Sequence, residues 1–212
     1  MTEPAVLPKV FCIGFQKTGT SSVRDALELL GYRVCGVFGR EVALDELRQS
    51  YVERGLELAR DYDAVEDMPW PLMFRELDAA FPGSKFILTM RETDRWYRSI
   101  AGHFGDNPYH IQQLTYGEDA PAPVGHEARY REVYDAHNDA VRTYFADRPQ
   151  DFAEFWLERG DGWDRLGEFL DRKDVPGGPF VHTNSNSQRR TVRYRIRKKL
   201  IKLGLPLKPM DG

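Results

Sequence analysis

The chain has 212 residues, 30 Lys and Arg against 33 Asp and Glu, and 41% hydrophobic residues, enough for one α/β core. Near-neutral bulk charge excludes a general nucleic-acid binder, and the two cysteines, Cys12 and Cys35, exclude a disulfide framework and a multi-cysteine zinc site. No window reaches the length of a bilayer span, and the N-terminus lacks the basic and apolar regions of a signal peptide. A soluble, reduced, cytoplasmic protein is expected, with residues 1–212 as a single domain.

Strand-like apolar runs alternate with helix-period segments, which predicts a three-layer α/β fold with a central parallel sheet flanked by helices. The first strand is expected over Val10–Gly14, and a helix over Thr20–Leu30 is stopped by Gly31. A strand over Tyr32–Val37, a helix over Glu41–Arg60 and a short strand at Ala64-Val65 follow. A helix over Met73–Phe81 leads to the clearest strand, Lys85–Met90, and a further helix spans Asp94–Phe104. Residues 105–126, rich in Gly, Pro and charge, read as a long loop suited to a substrate lid. The pattern closes with a helix over Glu127–Phe145, a strand over Phe152–Leu157 and a helix over Gly162–Leu170.

The segment from Gly14 to Ser22 reads as a phosphate cradle. A glycine-bounded loop follows a strand and opens a helix, so backbone N–H groups and the positive helix end face one point, with Lys17 supplying a full charge. Gln16, Lys17, Thr18, Gly19, Thr20, Ser21 and Ser22 are the candidate anion-binding set. Gly14 and Gly19 have the separation of a Walker A loop, but Thr20 stands where that motif has its lysine. Ligands of parallel sheets bind beyond the C-terminal strand ends, which adds Glu66-Asp67 and Arg91 with Ser99. Arg91 ends a strand and Ser99 lies two turns along the next helix, an arrangement that grips a second phosphate.

These motifs resemble the sulfotransferase family that uses 3′-phosphoadenosine 5′-phosphosulfate (PAPS). Lys17-Thr18-Gly19-Thr20 matches that family's loop for the 5′-phosphosulfate, and Arg91 with Ser99 matches its 3′-phosphate pair. Gly162-Trp163, Phe169-Leu170 and Pro179-Phe-Val-His-Thr-Asn184 look like the family's C-terminal motif, and the likeness covers residues 9 to 185. It is closest to the compact soluble branch with an Asp-x-Pro element, here Asp67-Met-Pro69. The resemblance implies PAPS as donor and PAP as product, no metal, Lys17 on the bridging oxygen and Asp67 as the base for an acceptor hydroxyl or amine. Glu66 is the alternative base, and since successive strand residues face opposite sides, one of the two should enter the site.

The sequence departs from the cytosolic branch at Ser22, where that branch has a Trp under the adenine. It also lacks an evident Arg-Lys-Gly element, for which Arg189 or Arg190 is the substitute. Trp70, Phe74, His103, Tyr116 and His137 are candidate contacts to a small-molecule or sugar acceptor, with core packing as the competing role for Trp70 and Phe74. The tail over residues 188–205 reads as a basic amphipathic helix. Between Arg189 and Lys208 it carries nine cations and no acid, and docking on the acidic body or a contact between copies is expected rather than a membrane. Two alternatives stay open: a P-loop kinase of small metabolites, which shares the fold, and a non-catalytic PAP-binding protein.

Overall fold

The computed structural model describes residues 7–181. Five parallel strands, β1 (Val10–Cys12), β2 (Val34–Cys35), β3 (Ala64–Val65), β4 (Lys85–Thr89) and β5 (Phe152–Phe155), lie in the order β2-β3-β1-β4-β5. The parallel α/β architecture expected from the sequence is therefore present. The registers Val10↔Ala64 and Val10↔Lys85 put β1 at the centre. The chain leaves β1 toward β2 and leaves β4 toward β5. Their C-terminal ends thus bound the crevice in which an open parallel sheet takes its ligand.

Alternation along β1 sends successive residues to opposite layers. Val10 and Cys12 pack against α1 (Thr20–Leu29) and α7 (Trp163–Leu170), through Val23, Ala26, Leu27, Trp163 and Leu166. Phe11 and Ile13 face Trp70, Phe74, Leu77, Val141 and Phe145, from a 3-10 turn at Trp70–Met73, α3 (Phe74–Ala80) and α6 (Glu127–Tyr144). The helix α2 (Leu44–Asp61) lies on this side with Ala59. A third cluster sits beyond the strand ends, where Phe15 and Met68 meet Trp96 and Ile100 of α4 (Thr93–Phe104) and Tyr130 and Tyr134 of α6.

Three expectations are corrected. Residues 105–126 are not a structureless lid: α5 (His110–Tyr116) occupies their middle, and Ile111 and Tyr116 pack into the third cluster. The flanking Gly and Pro hide a helix of two turns whose apolar anchors are few. The helix expected from Glu41 begins at Leu44, because Gly39 in a left-handed conformation and a turn at Gly39–Val42 precede it. The strand expected to reach Leu157 ends at Phe155, and Leu157–Arg159 forms a 3-10 turn. The basic tail, and the C-terminal motif beyond Val181, fall outside the described residues. No described helix is long and apolar enough to cross a membrane.

β1 continues toward the crevice as Ile13-Gly14, with Ile13 N–H donating to Ile87 O at 2.9 Å. Gly14 then lies so close to β4 that a Cβ on it would sit 2.0 Å from Thr89 Oγ1 and 2.5 Å from Thr89 O. A backbone obstacle cannot rotate away. Gly14→Ala should therefore destabilise the fold by about 2–3 kcal/mol, within the range for overpacking a tight interior. Urea denaturation checks this, and a loss below about 0.5 kcal/mol, the scale of a neutral surface change, would refute the contact.

Candidate active site

The loop from Phe15 to Gly19 is shaped by two left-handed residues, Lys17 at φ 70° and Gly19 at φ 111°. Glycine takes this conformation freely, whereas lysine holds it only because its surroundings impose it. Thr18 N–H closes a turn on Phe15 O at 3.4 Å, and α1 starts at Thr20 with no acidic residue in its first turn. An anion there meets both the amides and the positive end of the helix dipole. Thr18 fastens the loop from beneath: its hydroxyl donates to Phe15 O at 2.6 Å and meets Thr89 Oγ1 at 2.5 Å.

Three aromatic side chains hold the backbone of this site. Trp96 Nε1–H donates to Gln16 O at 2.9 Å, and its ring stacks on Tyr134 with centroids 4.0 Å apart. The Tyr134 hydroxyl accepts from Arg91 N–H at 3.1 Å and donates to Arg91 O at 2.8 Å. His137 Nε2 lies 2.8 Å from Ile13 O, which requires the proton on that nitrogen. Its ring stacks on Phe15 with centroids 4.3 Å apart, and burial pushes its pKa down to about 4. The sequence carries no mark of these bonds, because their acceptors are main-chain carbonyls.

The two carboxylates after β3 separate as strand alternation requires. Glu66 is fully buried and takes Arg24 Nη1–H at 2.7 Å; desolvation, then the charge of Asp67, push its carboxyl up to about 7. Asp67 faces the cleft from a left-handed backbone, φ 72°, with Oδ1 accepting its neighbour's Met68 N–H at 2.8 Å. Burial raises its pKa, while the Met68 N–H and the charges of Arg40, Arg24 and Lys17 pull it back. Asp67 is thus a half-buried carboxylate of strengthened basicity among cations.

A cleft of about 510 Å³ gathers these groups. Gln16 to Ser22, Asp67, Arg91, Ser99 and His103 all line it. Arg91 donates through Nη1 to Lys17 O at 3.3 Å and pairs through Nη2 with Glu158 Oε1 at 2.6 Å, while its buried Nε has no hydrogen-bond partner among the described residues. The sequence reading missed four lining residues, Arg40, Phe104, Leu157 and Glu158.

Four proposed acceptor contacts lie elsewhere. Trp70 is fully buried, donating through Nε1 to Gly36 O at 2.8 Å and packing on Phe38. Phe74 is buried against Tyr144 and Phe145. Tyr116 stacks on Tyr130 with centroids 3.6 Å apart and is 1% exposed. His137 is spent on Ile13 O. All four serve packing or backbone positioning, and His103 alone of the five faces the cleft.

A glycine-bounded loop on the central strand of a five-stranded parallel sheet, feeding a helix and facing a strand-end arginine, is the arrangement of a P-loop-like α/β fold. The chain belongs to the sulfotransferase domain family, whose sequence model matches residues 9–189. It is also similar to a protein of Aspergillus versicolor named Ava biosynthesis cluster protein M, at 26% identity over 215 residues, covering 82% of this chain and 80% of the relative.

His137 gives the site a pH dependence of stability. Its pKa in the folded state, about 4, lies below the ordinary 6.5, so between these values the unfolded chain binds the extra proton. The stability this neutral histidine confers is complete above pH 6.5 and is lost as pH falls toward 4. His137→Gln keeps a donor for Ile13 O and removes the titration. The stability difference between wild type and variant should therefore shift by about 2–3 kcal/mol in favour of the variant between pH 7 and 4. Urea denaturation across that range measures it, and parallel pH profiles would contradict the buried neutral ring.

Proposed function

We propose that this sulfotransferase moves a sulfuryl group from PAPS to a hydroxyl or amine of a small molecule, releasing PAP. The observation that carries the reading is the convergence of the Lys17 cradle, Asp67, Arg91 and Ser99 on one cleft. Two separate cationic positions suit a donor with phosphate at both ends, and the orphaned Arg91 Nε, with Ser99 lining the same cleft, is chemistry for the 3′-phosphate. Phe104 and Leu157 are the apolar surfaces against which an adenine ring can lie, in place of the Trp that Ser22 replaces. The relative's name places it in a biosynthesis cluster, which favours a small-molecule acceptor. A P-loop kinase fits less well, because Thr20 stands at the lysine position that cradles ATP phosphates.

Sulfuryl transfer, like phosphoryl transfer, relies on positioning and on charge stabilisation more than on covalent help from the protein. The loop amides and Lys17 hold the sulfonate and neutralise charge building on the bridging oxygen. As the acceptor oxygen forms its bond to sulfur, the bond from sulfur to that bridging oxygen breaks and PAP departs. The acceptor proton goes to Asp67, whose raised pKa makes it a better base than a solvated aspartate. Glu66, sealed against Arg24, anchors this arrangement rather than touching the acceptor.

Calorimetric titration with PAP and with Mg-ATP tests the donor: PAP should bind, independently of magnesium, and Lys17→Ala or Arg91→Ala should abolish it. Preferential Mg-ATP binding would overturn the reading. In radiolabel transfer from PAPS across a panel of hydroxyl and amine acceptors, Asp67→Asn should bind PAP normally and lose about 10²–10⁴-fold in kcat, the span expected of a general base. Glu66→Gln with a larger kcat loss than Asp67→Asn would exchange the two roles, and PAP binding with no transfer to any acceptor would favour a non-catalytic protein.

A further inference from the structure

The 3-10 turn at Leu157–Arg159 lies across the donor site and closes on it with charge. Glu158 bridges two arginines, Arg91 at the end of β4 at 2.6 Å and Arg95 in the first turn of α4 at 3.3 Å. Arg159 returns the contact to Glu92 and lays its guanidinium 3.6 Å over the Trp156 ring. Leu157 covers the cradle itself, for a Cβ on Gly19 would fall 2.2 Å from Leu157 Cδ1. Charge and packing therefore tie one short turn to both halves of the site. At its centre a carboxylate oxygen holds Arg91 Nη2, one of the nitrogens that a phosphate would take, while Nε beside it has no partner among the described residues.

We propose that Glu158 is an internal competitor for the 3′-phosphate: it leaves Arg91 when PAP binds, re-pairs as PAP departs, and so weakens product affinity and hastens release. This rests on the reading of the cleft as a PAPS site. A phosphate gripping Arg91 bidentately through Nε and Nη2 takes the open nitrogen and the one that Glu158 Oε1 now holds, so the two anions compete for Nη2. Both anions on Arg91 at once would face each other in a partly desolvated cleft, where like charges repel strongly. Glu158 and Arg91 are 30% and 27% exposed in their side chains, so the pair is weak enough to exchange. Arg95 offers the displaced carboxylate a second cation, which keeps the turn near the site. A nucleotide with a free 3′-hydroxyl makes no claim on Arg91 and leaves the pair intact. Glu158 therefore acts only on ligands that carry the 3′-phosphate, and changes in such affinity fall mainly on dissociation. Release of product limits many transferases, and a resident anion that reoccupies the arginine is a direct way to speed it.

Calorimetry with PAP and with AMP, on wild type, Glu158→Gln and Glu158→Ala, tests the proposal. Both variants should bind PAP about two- to fivefold more tightly, the range in which partly exposed ion pairs act, with AMP affinity unchanged. Slower PAP dissociation in stopped flow should accompany the change. Equal or weaker PAP binding by the variants would overturn the proposal and make Glu158 a residue that orients Arg91. Tightening shared by AMP would overturn it also, as a general charge effect. A wild type that binds no PAP fails separately, by removing the donor assigned above and this inference with it.

Discussion

The site depends on the close approach of β1 and β4 at their C-terminal ends. Gly14 lets the two backbones meet where any side chain would collide with Thr89, and the Thr18–Thr89 hydroxyl contact fixes the loop over that junction. Through it, a cradle that follows β1 and an arginine that follows β4 become neighbours although 74 residues separate Lys17 from Arg91 in sequence. Main-chain pairing sets the distance between the Lys17 loop and Arg91, and side chains only finish it. The aromatic cluster above the strand ends serves the same purpose: Trp96, Tyr134 and His137 each spend their polar atom on a backbone group of the site. Such bonds are individually modest, about 1 kcal/mol, but a lost partner would leave a buried carbonyl unsatisfied.

Charge in the cleft is balanced in layers. Lys17, Arg40 and Arg91 face the cavity, with Asp67 and Glu158 set among them. Below, Arg24 and Glu66 pair in the interior, and Glu66 is held near neutrality more by burial than by any one neighbour. A site with unbalanced cations would bind every polyanion, and one with an unpaired buried carboxylate would lose stability. Interleaving the signs leaves affinity to ligands that satisfy the loop amides and Arg91 together.

Much of this was legible because the signals are local. The cradle lies within nine residues and the Arg91–Ser99 pair within nine more, so spacing alone exposes them. The parallel sheet followed from alternating strand and helix periods. What escaped is tertiary. Arg40 and Glu158 sit in connections whose direction no periodicity sets, and both reach the cleft only through the sheet order. Aromatic residues misled in the other direction: Tyr116 and His137 stand in a polar-looking context, yet ring stacking on Tyr130 and Phe15 draws them into the interior. The helix α5 was hidden by its Gly- and Pro-rich flanks, since two turns carry too few apolar positions to show a period.

The displaced lysine has a structural reason. A lysine in the first turn of α1 would point along the helix axis at a phosphate held by the same turn. Lys17 instead stands three residues earlier, in a left-handed conformation, and its carbonyl accepts from Arg91 Nη1 at 3.3 Å. The loop that carries Lys17 and the arginine at the end of β4 are therefore joined by one hydrogen bond. Arg91 is held in turn by Glu158 and, through its backbone, by Tyr134. A change in the anion on Arg91 acts on a group whose other arm grips the lysine loop, so Glu158, Arg91 and the loop of Lys17 form one connected set. A lysine at position 20 would lie inside α1, outside that set, and its charge would follow the helix alone.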